Sequence, residues 1–372
     1  MAKEKKPMGS LKELLKSIEK EHGSGSIAQG KGSIVNVEVF STNVAAIDFA
    51  LGCGGIPRGR IIEIHGPESG GKTTTCLQIV KACQNHYFED SKRKGVCAFI
   101  DAEHALDIEW ARKIGVDIDG LIVAQPDSGE QAFEIVESLV SSGLVDLVIV
   151  DSVAALTPKA MLEGDIGAAN MGALAQLMGK GLGKIKGVCN KTKTTVIFIN
   201  QLREKVGLVF GSPEMTPGGR ALKFYASVRM EIKKLAPIKE KDDIYAFRTR
   251  TKVIKNKVAA PFLVEEYDIC VGKPPRNVYG IDEVASLMEL ACKNDTCTRK
   301  GSFIHFGGVL VGNGISAATE ALRTKEELMM EIKKATYSKM FGNLELRQNY
   351  QIETELEEDA DGLDDGILDG GE

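Results

Sequence analysis

Eight consecutive residues, Gly66-Pro67-Glu68-Ser69-Gly70-Gly71-Lys72-Thr73, have the types and spacing to hold a polyphosphate. They fit G-x-x-x-x-G-K-[ST], the P-loop. Glycines let successive backbone N–H groups turn into one cavity, and the N-terminus of a following helix adds partial positive charge. Lys72 would then reach the β- and γ-phosphates, and the Thr73 hydroxyl would ligate Mg²⁺. Gly66 to Thr73, with the adjacent Thr74, are the nucleotide-binding positions this reading assigns. The apolar run Leu147–Val150 ends in Asp151, placed to hold Mg²⁺ through water as a Walker-B residue does. Ala98-Phe99-Ile100 ends in Asp101 and, two residues on, Glu103. A carboxylate beside the γ-phosphate can orient and deprotonate an attacking water, and Glu103 is assigned that role. The plainer reading of Glu103 is a solvated loop acid. Ile197-Phe198-Ile199 ends in Asn200 and Gln201, and an uncharged side chain there can sense the γ-phosphate.

These residues need a scaffold that gathers strand ends. Arg60–His65, Val96–Ile100, Leu121–Ala124, Leu147–Val150 and Thr195–Ile199 read as short, nearly continuous apolar strands. Helical patterns separate the early ones, including Thr73–Ala82 and Gly129–Ser142. Apolar strands alternating with helices predict an α/β fold with a mostly parallel sheet covered on both faces. After Gly219 the pattern changes. Val228–Lys234, Ala246–Ile254 and Phe262–Ile269 read as strands on short connections, so the sheet gains antiparallel members. Residues 275–338 read as a separate α+β piece, with helices near Asp282–Lys293, Ala317–Arg323 and Lys325–Ala335. At the other end, Leu11, Leu14, Leu15 and Ile18 form a helical stripe with Ser10 as N-cap, and Ile34–Phe40 alternates like a strand. One helix and one strand cannot bury a core, so they must dock on the main body or on another subunit. Two long segments, Pro158–Gly172 and Leu202–Arg220, follow strand ends and lack apolar periodicity; loops of that length are usually functional.

Composition narrows the class. The chain has 372 residues, is 43% hydrophobic and carries no run that reads as a membrane span. No apolar segment follows the charged N-terminus as a secretory signal would, so a cytoplasmic location is expected. The eight cysteines are scattered and do not make a zinc pattern. Of the 52 acids, ten fall in residues 351–372, which hold no Lys or Arg, so the first 350 residues carry 42 acids against 47 bases. An acidic, glycine-containing tail on a mildly basic body predicts disorder there. It serves either as a solubility device or as a competitor for nucleic acid.

Several segments together resemble the bacterial RecA recombinase family. They are Gly66–Thr73, Phe99–Asp107, Val150–Lys159, Phe198–Gln201, Ala221–Arg229 and Lys255–Phe262, in family order and within residues 10–335. The resemblance implies a RecA-type ATPase core (41–274), a polymerisation module (1–40), a C-terminal domain for duplex capture (275–338) and an acidic tail (339–372). It implies a helical filament on single-stranded DNA, with ATP and Mg²⁺ at protomer interfaces, that pairs homologous DNA and exchanges strands. Residues 158–172 and 202–220 would be the two DNA-binding loops, with contacts from Met171, Arg203, Lys205, Val206, Phe210, Gly218 and Gly219. Gln201 would couple the γ-phosphate to the second loop. Lys255 and Lys257 would reach the γ-phosphate of the adjacent protomer, as arginine fingers do. Asp107 and Trp110 would hold the adenine, the indole by stacking. A self-cleaving SOS repressor, loading proteins and mediators are further implied partners. The acidic tail matches an autoinhibitory one.

The chain departs from the family pattern at Gln176 and Gly183, where arginines are usual, and at Val271, where an aromatic is common. Ala236 and Thr251 fall in the region linked to repressor cleavage. Two other readings compete with a recombinase. A P-loop small-molecule kinase would need an acceptor pocket and a lid. A filament-forming single-strand scaffold would bind DNA and hydrolyse ATP poorly. ATPase rates with and without single-stranded DNA separate the three.

Overall fold

The computed structural model describes residues 10–22, 37–164, 172–204 and 214–342. The chain divides into two units, Met1–Glu38 and Val39–Glu372. In the first, Leu11–His22 is a helix whose N-terminus is capped as expected: Glu13 N donates to Ser10 Oγ at 3.3 Å. Its Leu11 and Leu14 are exposed. Of the expected strand Ile34–Phe40, Val39–Phe40 is extended and residues 34–36 lie outside the described residues.

The second unit is built on a nine-stranded sheet. In chain order its strands are β1 (Ile61–Gly66), β2 (Cys97–Asp101), β3 (Leu121–Ala124), β4 (Leu147–Asp151), β5 (Thr195–Gln201), β6 (Val228–Glu240), β7 (Asp243–Asn256), β8 (Val264–Val271) and β9 (Tyr279–Ile281). Their spatial order is β9-β8-β7-β6-β1-β5-β4-β2-β3. The six strands from β6 to β3 are parallel; β7, β8 and β9 extend the sheet antiparallel. Both the parallel body and its antiparallel extension are as expected.

The apolar runs are continuous because both faces are buried. Ile62, Ile64, Cys97, Phe99, Leu147, Ile149, Ile197 and Ile199 point to one side, with Leu77, Ile79 and Val80 of the helix Lys72–Asn85. Their neighbours Ile61, Ala98, Ile100, Val148, Val150, Val196 and Phe198 point to the other. There they meet Phe133 and Val136 of the helix Gly129–Ser142, and Met178, Leu182 and Ile185 of the helix Ala173–Thr192. Period-two alternation sends successive side chains to opposite faces, so a strand in this setting has no polar side to show.

Residues 283–341 form a third core from Leu287, Met288, Leu290, Ile304, Leu322 and Ile332, which also takes in Ala45 from the helix Ala45–Leu51. Polar ties reinforce that junction. Tyr337 donates to the buried Asp48 at 2.8 Å, and Ser286 Oγ accepts from Ala46 N at 3.0 Å. Gln78 and Lys81, on the helix that follows the P-loop, both donate to Glu283.

Candidate nucleotide site

Sheet register collects the chemistry-bearing residues at one edge. Gly66 pairs with Gln201 and Asp101 with Asp151, so four strands end in line at their carboxyl ends. Gly66 cannot carry a side chain: a Cβ there would lie 2.0 Å from Ile232 O on β6. Ser69 and Gly71 have positive φ, 54° and 94°, as the loop turns back into the helix. A Cβ on Gly71 would come within 2.5 Å of Ile269 Cδ1.

Lys72 is buried, and its Nζ donates to Pro67 O at 2.7 Å. Burial pulls its pKa below the usual lysine value, against the raising influence of Asp151 and Glu103. Thr73 Oγ1 donates to Asp151 Oδ2 at 2.8 Å. Burial pushes the Asp151 carboxyl up to about 6, with the Thr73 hydrogen bond opposing. Among the described residues no group of three or more His, Cys, Asp or Glu could hold a metal. Mg²⁺ takes one or two protein oxygens beside phosphate and water, and Thr73 with Asp151 is a hard-oxygen pair of that kind.

The two acids at the end of β2 and in the turn after it have different partners. Asp101 is buried and accepts from Ala105 N, Leu106 N and Gln125 Nε2 at 2.9–3.2 Å, bracing the turn that follows. Ala102 N and Glu103 N both donate to Asp151 O, which fastens that turn onto β4. Glu103 is exposed. Its Oε1 accepts from Gln201 Nε2 at 2.9 Å and from the buried Ser152 hydroxyl in a short contact. The expected acid and the expected sensor amide therefore touch.

A cavity of about 300 Å³ opens over the loop, lined by Ser69–Thr74, Trp110, Lys234, Phe247, Thr249, Ile269 and Val271. Trp110 Nε1 donates to Thr74 Oγ1 at 3.3 Å. Asp107 caps the helix Ile108–Ile114, accepting from Trp110 N at 2.9 Å. Lys255 and Lys257 do not line the cavity. Lys255 Nζ donates to Lys223 O and Phe224 O at 2.5 and 3.2 Å, capping the helix Ala221–Tyr225. Burial lowers its pKa, with Lys257 and Arg229 acting the same way.

The two long loops are described at their stems. Met171, Lys205, Val206 and Phe210 lie outside the described residues. Arg203 and Glu204 pair antiparallel with Met215 and Glu214. Gly218 and Gly219, both at positive φ, sit where a Cβ would meet Val153 Cγ1 at 2.9 Å and Ala175 Cβ at 2.8 Å, respectively. The end of the second loop thus rests against the start of the helix that ends the first. Asn200 Nδ2 donates to Pro217 O at 3.2 Å and to the buried Glu63 at 3.1 Å, tying that stem to β1.

Sequence reasoning missed Ser152, Lys234, Phe247 and Thr249. Ser152 carried a signal, since it follows the strand-terminal Asp directly. Lys234 comes from β6, beyond its pairing with β1, and Phe247 and Thr249 come from β7, which folds back on it; that return over the loop is invisible in local spacing.

Known proteins share this sequence over most of its length. A sequence profile of the RecA N-terminal domain matches residues 9–274. Protein RecA of Heliobacterium modesticaldum is 50% identical over 325 residues, covering 87% of this chain and 90% of that protein. Protein RecA of Clostridium novyi is 48% identical over 326 residues, 87% and 89% of the two chains. Protein RecA of Parvibaculum lavamentivorans is 49% identical over 328 residues, 88% and 86%.

Proposed function

The chain belongs to the RecA family, and on that premise we propose how its residues divide the work of hydrolysis and DNA handling. The chain is a DNA-dependent ATPase that pairs homologous DNA and exchanges strands, binds DNA and assembles into filaments. The proposal concerns the residues, the metal and the finer partners.

The Gly66–Thr73 backbone cradles the phosphates. Lys72 exchanges the Pro67 carbonyl for phosphate oxygens. Thr73, and Asp151 through water, would hold Mg²⁺, which would supply positive charge beside the phosphates. Glu103 orients the attacking water and takes its proton, and Ser152 and Gln201 fix the carboxylate. Trp110 stacks on the base, with Asp107 holding the start of its helix. The observation that carries this reading is the Glu103–Gln201 hydrogen bond at 2.9 Å. Gln201 is the last residue of β5, and the second loop begins right after it. A γ-phosphate that draws on either side chain therefore pulls on the stem of a DNA-binding loop. Residues 158–172 and 202–220 engage single-stranded DNA, and residues 275–338 engage duplex. Lys255 and Lys257, which stand away from their own cavity, serve the neighbouring protomer's ATP. A cytoplasmic location, SOS repressor cleavage and loading partners belong to this reading as further expectations.

Mixing variants tests it. ATP hydrolysis with single-stranded DNA should vanish for Lys72→Ala, for Glu103→Gln and for the pair Lys255→Ala/Lys257→Ala. An equimolar mixture of Lys72→Ala with the Lys255/Lys257 variant should recover activity, because mixed interfaces combine an intact loop with intact lysines. A mixture as inactive as its parts would exclude action across the interface. Hydrolysis equal with and without DNA would exclude the coupling through Gln201.

A further inference from the structure

Strand periodicity fixes which side of the antiparallel extension looks onto the phosphate loop. Lys234 pairs with Thr249, and Phe247 pairs with Ile269. Residues two apart on a strand share a face, so Lys234, Phe247, Thr249, Ile269 and Val271 stand together. All five line the cavity that holds the loop and Trp110. The register slips between Lys234 and Pro237, a bulge of the kind that re-aims a side chain. Lys234 Nζ lies 3.4 Å from the centre of the Phe247 ring.

Trp110 and Phe247 are the aromatic side chains among those lining the cavity. Val271, at the position where the family pattern has a second aromatic, is aliphatic. Its register partner Tyr279 turns edge-on to Trp110, with ring centres 6.0 Å apart, and is not one of the lining residues.

Taking the proposed seating of ATP phosphates on the Gly66–Thr73 loop as premise, we infer that Phe247 is the second base-contacting side chain. Lys234 covers its ring until the base arrives and then serves as a counter-charge to the phosphates. Lys234 is exposed and Phe247 half-buried. An ammonium that keeps its water gains little from a ring face, whereas a planar base stacked there gains more and removes apolar surface from water. The base therefore takes the ring. The displaced ammonium stays on a flexible stem in the same cavity as Lys72, where a polyphosphate is the strongest available partner. This assigns the aromatic function that Val271 lacks to a different strand.

Calorimetric titration of the full chain with ATP and with inorganic tripolyphosphate, both in Mg²⁺, separates the two ends of the ligand. Phe247→Leu keeps apolar volume and removes the π face. It should weaken ATP about tenfold while tripolyphosphate binds as before, and Phe247→Tyr should restore ATP. Lys234→Ala should weaken both ligands, more at low salt than at high. Unchanged ATP affinity in Phe247→Leu would overturn the assignment. Equal loss of both ligands in that variant would overturn it too, because Phe247 would then only shape the loop. Unchanged tripolyphosphate binding in Lys234→Ala would remove the counter-charge role. Wild-type protein that binds neither ligand would overturn the seating on the loop itself, which is a separate result.

Discussion

Breaking the ion pair between Glu63 and Arg229 should cost more than deleting both of its charges. Glu63 sits on the central strand β1 and is fully buried; Arg229 is its register partner on β6, with a side chain 13% exposed. Arg229 Nε donates to Glu63 Oε2 in a short contact, and Asn200 Nδ2 donates to Oε1 at 3.1 Å. In Arg229→Met the buried carboxylate has lost its cation. A buried charge left uncompensated in this way typically costs about 3–5 kcal/mol. In Glu63→Gln the guanidinium is left facing an amide, and loss of one buried partner typically costs about 3–5 kcal/mol. In the double variant no charge is buried, and the amide oxygen that replaces the carboxylate can still accept from Asn200. Only repacking remains, about 1–2 kcal/mol. The assay is urea unfolding of the three variants followed by circular dichroism, read as a double-mutant cycle. The double variant should be more stable than either single one. If the single losses simply add, within about 0.5 kcal/mol, the pair is not coupled and the reasoning fails.

Two buried groups on the same body should titrate in opposite senses. Burial raises Asp48 to about 6, so its contribution to stability is present below about pH 4 and is lost as pH rises through 6. Burial lowers His65 to about 4, so its contribution is present above about pH 6.5 and is lost as pH falls toward 4. Measured against wild type from pH 4 to 7, Asp48→Asn should gain roughly 3 kcal/mol and His65→Gln should lose roughly the same; slopes of the reverse sign would contradict the burial assignments. Gly66→Ala places a methyl group 2.0 Å from the Ile232 carbonyl, so β1 and β6 must part at the mouth of the loop. Calorimetry should find no ATP binding in a protein that still shows the helix and strand content of wild type, and retained binding would mean the strands yield there at little cost.

Much was legible in the chain itself. The phosphate loop, Asp151, Glu103 and Gln201 each end or follow an apolar run, and such runs name their strands without help from tertiary structure. Parallel order was legible too, because strands separated by helices must cross over to pair. The helix Ala173–Thr192 did not appear as a periodic segment. It carries Gly179, Gly181, Gly183 and Gly187, and a Cβ on Gly181 would lie within 2.3 Å of Phe133, so packing holds it where propensity does not. The distinct duties of Asp101 and Glu103 were equally hidden. One ends β2 and the other follows it by two residues, and only the turn at Ala102–Leu106 shows that one acid braces backbone while the other accepts from Gln201.

By itself the sequence determined the groups on offer: a glycine-rich loop of backbone N–H donors with a lysine, a hydroxyl, two carboxylates and an amide, each at or just after the end of an apolar run. Hydrogen-bonding capacity and hydrophobic period are properties of residues and of near neighbours, so they survive being read in one dimension. Only the tertiary structure decided which side chains share a cavity. Lys234, Phe247 and Thr249 lie far along the chain from Lys72 and reach its loop through the antiparallel pairing of β6 with β7, whose register shifts after Lys234. Lys255, on β7, is turned to the carbonyls of the helix Ala221–Tyr225 and does not line the cavity over the loop. Both outcomes depend on strand register, where a shift of one residue sends every side chain to the opposite face. Register is set by contacts between distant segments, and no local spacing records it.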